Sequence, residues 1–151
     1  MKKLVILILL LLEMNAYAEE FIPLNIYIKK HPAYLSNSVE AEYVANRCGS
    51  LFTILANRSL EADKSNEIIK LAKEYDRMGN VYSLAGLMLS KSPLSSEEKY
   101  IKLHKELLTS YANLILKNWK SGNIFKVLIG QDFEVCTIHR TFYEKLAKNL
   151  K

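Results

Sequence analysis

The chain predicts an all-α fold: a small four-helix bundle-like domain with an extended N-terminal arm and one inter-helix disulfide. Three observations carry this. Apolar residues recur at i, i+3, i+4 and i+7 over four separate stretches, the period of a helix with one buried face. Capping residues, proline and Ser-Gly-Asn punctuate the gaps between them. The only two cysteines, Cys48 and Cys136, each fall inside an apolar stripe, on the first and last of those helices.

Residues 1–18 read MKKLVILILLLLEMNAYA. Lys2 and Lys3, the apolar run Leu4–Leu12 and the closing Ala16-Tyr17-Ala18 have the three-part layout of a secretory signal peptide. The run is shorter than the roughly 20 apolar residues that span a bilayer, and Glu13 ends it with a charge. Cleavage after Ala18 leaves residues 19–151 as a single helical domain, periplasmic or secreted, with no stable membrane insertion after cleavage. In such an oxidising compartment, a lone cysteine pair in a small domain reads as a structural disulfide.

Residues 19–37 form the arm. Leu24, Ile26 and Ile28 alternate with Asn25, Tyr27 and Lys29, a period of two, and Pro23 and Pro32 bracket the stretch. The first helix is expected from Asn37, where Asn37 and Glu40 have the spacing of a capping box. Its stripe is Val44, Cys48, Leu51, Phe52 and Leu55, fading near 57–60. The second runs from about Ser65 to Ser90, with Ile68, Leu71, Ala72, Tyr75, Met78 and Tyr82 inward. Gly79 and Gly86 lie seven apart on that face, which points to close approach of another backbone. A kink at Met78-Gly79-Asn80 is the alternative.

Pro93 centres the clearest break. Ser95 and Glu98 then give a second capping box, and Ile101, His104, Leu107, Leu108, Tyr111 and Ile115 the third stripe. Ser121-Gly122-Asn123 stops that helix. Phe125, Leu128 and Ile129 make a short turn of helix before Gly130. Asp132 then opens the last helix, whose stripe includes Val135, Cys136, His139, Phe142 and Tyr143.

The formal net charge is +5, with lysines spread among glutamates rather than clustered, so no nucleic-acid partner is expected. The sequence lacks H-E-x-x-H, an EF-hand loop and a cysteine cluster, so neither a metal site nor a cofactor is expected. Covalent haem would need C-x-x-C-H, and the remaining haem route is a Met78 pair with His104 or His139. No G-x-S-x-G elbow is present. His31, His104 and His139 are the available bases, none with a second group placed beside it by sequence. Glu40 with Glu42, and Glu74 with Asp76, are two apart and do not face each other on a helix.

Two constellations remain. Arg47, Asp132, His139 and Arg140 flank the two cysteines and would gather around the staple as a polar cluster, structural in the first instance and a binding cleft in the second. Tyr27, Tyr34 and Tyr43 lie in or near the arm and are the expected recognition surface. The expected function is an exported, non-enzymatic binding protein of inhibitor, immunity-protein or chaperone type, acting on a protein partner in the envelope or exterior. A small envelope hydrolase with a cleft near the helix ends is the alternative, and a haem or small-ligand bundle the third.

Overall fold

The structure, a computed structural model, describes residues 21–62, 64–90 and 95–148, without the side chains of 95–97 and 99. The expected signal peptide lies outside the described residues. Among those residues are six α-helices and no strand. They are α1 (Leu24–Lys30), α2 (Ser38–Ala62), α3 (Asn66–Leu89), α4 (Ser95–Lys120), α5 (Leu128–Ile138) and α6 (Arg140–Lys148), with a 3₁₀ turn at Tyr34–Ser36 before α2. The all-α expectation holds.

Helix α2 is the axis of the molecule. Val44–Phe52 is buried without interruption, so this helix is wrapped on every face rather than on one stripe. Helices α3 and α4 both pack on it, and α5 and the 3₁₀ turn cover much of the rest. A helix enclosed in this way is normally apolar all round. Here Asn46, Arg47 and Ser50 are enclosed with it.

Local chemistry sets the boundaries of the long helices. The Asn37 side chain accepts from the Val39 and Glu40 amides at 3.1 and 3.4 Å, opening α2 as its sequence predicts. The Glu40 carboxylate meets His31 Nδ1 at 2.9 Å. Helix α2 continues to Ala62, a little past the expected fade. Ser65 caps α3 by accepting from the Ile68 amide, and Ser90 closes it with its N–H on Gly86 O. Gly122, at φ +79°, follows the end of α4 in the left-handed region where a Cβ is strained. The Ser95 cap falls on a side chain outside the described set.

The glycines of α3 serve close approach. A Cβ at Gly79 would sit 3.3 Å from Thr53 N and 3.4 Å from Gly49 O. One at Gly49 would sit 3.2 Å from Ser83 N. Helix α3 is continuous through Met78-Gly79-Asn80, so the kink is not taken.

Two expectations are corrected. Residues 24–30 of the arm are helical, not extended. The alternation there covers only five residues, and Leu24, Tyr27 and Ile28 also satisfy the helical i, i+3, i+4 pattern. Leu24 and Tyr27 are buried and Ile28 packs on the core, whereas Ile26, which a strand would place on one face with Leu24 and Ile28, is 42% exposed. Pro23 sits at the N-cap, just before the helix, where its missing N–H costs no helical bond. The arm does pack against the body, with α1 on α5. The second correction concerns the C-terminal segment. Helix α5 runs through both Gly130 and Asp132, and the break falls at His139. Gly130 is required because Phe125 O occupies the place of its Cβ, 2.7 Å away.

Candidate functional site

The Cys48–Cys136 disulfide is formed and joins α2 to α5, with Cα atoms 5.5 Å apart. Beside it lies a sealed polar network built on Arg47. Helix α2 brings Arg47, α5 brings Asp132, α4 brings Tyr111, and the chain entering α1 brings backbone groups. Arg47 Nε donates to Tyr111 Oη (2.9 Å), Nη1 to Tyr43 Oη (3.0 Å) and Nη2 to Ile22 O (3.1 Å). Nη2 also pairs with Asp132 Oδ2, which accepts from Tyr111 Oη as well. The other carboxylate oxygen accepts from the Leu24 amide at 2.6 Å. The Phe21 ring covers the guanidinium, its centroid 3.9 Å from Cζ.

Arg47 and Asp132 are both 0% exposed. Burial on its own disfavours the Arg47 cation, but Tyr111, Asp132 and Tyr43 more than offset it and hold the guanidinium firmly charged. Burial pushes the Tyr111 hydroxyl far above its usual range, so it stays a neutral donor. A charge pair so enclosed is retained by its hydrogen bonds, not by Coulomb attraction alone.

Of the expected polar cluster, the fold unites Arg47 with Asp132 and leaves the other two members elsewhere. Arg140 lies in a surface lattice linking α3 to α6, 3.0 Å from Glu74 and 2.8 Å from Glu144, with Arg77 on the same two carboxylates. His139 ends α5 and packs edge-on against Tyr34, ring centroids 5.5 Å apart. The tyrosines expected at the surface are mostly inside. Tyr27 and Tyr34 are core residues, and Tyr43 is half-buried with its hydroxyl taken by Arg47. Tyr27 and Tyr34 sit there because the arm coils into α1 and the 3₁₀ turn, which carry their rings onto Tyr43 of α2 and His139 at the end of α5.

The residues of the residual haem route have other contacts. Met78 is buried with its sulfur 3.5 Å from Arg77 Nη2, while His104 Nδ1 lies 3.3 Å from Ser50 Oγ. Ser50 is itself fully buried. Burial lowers the pKa of both His104 and His139, so each ring favours its neutral form. Among the described residues no group of three His, Cys, Asp or Glu side chains is placed to hold a metal ion. No described helix is long and apolar enough to cross a membrane.

The accessible feature lies along the second half of α2. Arg58, which lines it, is eleven residues beyond Arg47, about 17 Å along the helix. There the end of α2, the start of α3 and the end of α4 leave two adjoining depressions. One, of about 220 Å³, lies between Leu55, Ala62, Ile68, Leu71, Trp119 and Phe125. The other, of about 180 Å³, lies between Arg58, Glu61, Ile115, Leu116 and Trp119. Ala62 and Trp119 line both, so together they make one trough. Sequence reasoning passed over this trough. Its available signal was the lone tryptophan at a helix end, flanked by lysines and followed within six residues by Phe125. The chain matches no known family model, curated protein or solved structure.

Proposed function

We propose that this protein is exported and acts as a non-enzymatic binding protein, of inhibitor, immunity-protein or chaperone type, through its helical surface. The observation that carries the reading is the contrast between the two halves of α2. The charged groups that sequence reasoning offered as a cleft, Arg47 and Asp132, are wholly enclosed and used up in cross-links between helices. What the molecule offers outward is an apolar trough with an exposed tryptophan, a residue type enriched where proteins bind one another. Export is supported by the signal-like first 18 residues and by a disulfide, which persists in oxidising compartments.

The hydrolase alternative called for a deep pocket converging on His139, Asp132 or a carboxylate pair. Asp132 is sealed, and His139 faces Tyr34. The test is chemical crosslinking in the cells that make the protein, then purification and mass spectrometry. One stoichiometric protein partner supports an inhibitor or immunity role, and a broad set of unrelated envelope proteins a chaperone role. Absence of any enriched protein, or turnover by the purified protein that depends on His104 or His139, contradicts the proposal.

A further inference from the structure

On that binding-protein reading, we propose that the Trp119 trough is the docking site for an amphipathic helical segment of a partner protein. Its apolar anchors fill the two depressions, and its acidic flank lies along the lip that carries Lys120 and Lys126. The apolar lining is open to water. Leu71, Leu116, Trp119 and Phe125 are each 41–45% exposed, around a floor that includes buried Leu55 and Ile115. Two depressions sharing one wall suit side chains from successive turns of a helix, since residues three or four apart lie on one face.

Charge selects the partner. Between Glu106 and Asp132 the chain has no acidic residue, and Lys120 and Lys126, both exposed, directly follow the trough-lining Trp119 and Phe125. The facing lip, from the end of α2 into α3, is mixed. Arg58 holds Glu61 at 2.5 Å, and Asp63, Lys64, Glu67 and Lys70 carry two charges of each sign. One lip is therefore cationic and the other near neutral, which favours a segment acidic along one flank. A second copy of this chain, at +5, brings like charge to that lip. A bilayer surface is better met by protruding apolar groups than by recessed ones.

The test places a photo-reactive residue in the full chain by Phe125→benzoylphenylalanine, in the cells that make it. A matching probe, Val39→benzoylphenylalanine, sits at the far end of α2, where Val39 is 70% exposed. After illumination the crosslinked peptide is sequenced by mass spectrometry. The expected adduct at 125 is one protein segment with apolar residues at helical spacing and Asp or Glu dominating one flank. Lys120→Glu with Lys126→Glu should cut its yield about ten-fold, with the melting temperature unchanged. A lipid adduct, an adduct to this chain, a neutral or basic segment, or an undiminished yield in the double variant overturns the docking proposal. Protein adducts at 39 alone overturn the trough and leave the binding-protein reading standing. Protein adducts at neither position overturn both.

Discussion

Arg47 ties together segments far apart in sequence. Its guanidinium reaches the arm through Ile22 O, α4 through Tyr111 and α5 through Asp132. Removing one partner of a buried charge pair leaves the other desolvated and unpaired. Asp132→Ala is therefore expected to cost about 3–5 kcal/mol in urea unfolding, and to free the Leu24 amide that opens α1. Arg47→Met combined with Asp132→Leu should cost less than the two single changes summed, because neither charge is then stranded. The sequence marks Arg47 and Asp132 as polar residues beside the cysteines, which is why the pair is legible. It does not reveal Phe21, Ile22 or Tyr111 as their partners, because helical periodicity gives the face of a residue and not what lies opposite. His139 and Arg140, equally close to Cys136 in sequence, turn away because the chain bends at His139.

The histidines give a second consequence at this scale. Burial lowers the pKa of His104 and His139, so between that lowered value and the ordinary value near 6.5 the unfolded chain binds more protons. Their contribution to stability is complete above about pH 6.5 and is lost as pH falls below it. The melting temperature should drop from pH 7.5 to pH 5, and His104→Gln with His139→Gln should flatten that drop. A flat wild-type profile across the window contradicts the assignment. Glu74 and Glu144 act in a lower window. Arg77 above all holds Glu74 below its usual pKa, and Arg140 above all does so for Glu144, so their share is lost only below the ordinary carboxylate value.

At the scale of elements, the α2–α3 contact is the tightest in the molecule. Gly49 and Gly79 face each other across it, each with the partner's carbonyl oxygen 3.4 Å from its Cβ position. Gly79→Ala gains helix propensity of about 1 kcal/mol. It also forces a methyl against the Thr53 backbone, and such overpacking costs about 1–3 kcal/mol, so a net fall in melting temperature is expected. A rise would show that the two helices separate freely. Helix α3 was readable almost to the residue, because Ser65 supplies a true cap and the stripe runs to Leu89, where the helix ends. Helix α1 was not, because a seven-residue element carries too few positions to separate a period of two from one of 3.6. The burial of α2 on all sides was also hidden. Asn46, Arg47 and Ser50 give it the look of an amphipathic surface helix, and only the fold shows what encloses them.

Across the whole molecule the two halves of α2 have different tasks. The first half is locked by the Arg47 network and, next to it, by the disulfide. Cys48 follows Arg47 on α2, and Cys136 lies one turn beyond Asp132 on α5, so both links span the same two helices. The disulfide encloses a loop with a sequence separation of 88. In the chain-entropy model such a loop contributes up to about 4–5 kcal/mol. Reduction should lower the melting temperature, and Cys48→Ser and Cys136→Ser should lower it equally. The expected pairing was legible because only one intramolecular pairing exists. The other half is open, and its trough was not legible because it is assembled from the ends of three helices distant in sequence.

Trp119 is the only tryptophan in the chain and stands at the centre of that trough, so its fluorescence reports directly on occupancy. The decisive measurement is a titration of the purified protein with the partner segment crosslinked at position 125, synthesised as a peptide. A saturable blue shift at one-to-one stoichiometry is predicted, with Lys120→Glu and Lys126→Glu together weakening binding about ten-fold at unchanged melting temperature. Binding that leaves the Trp119 spectrum unmoved, or that is indifferent to the two lysines, would contradict the account.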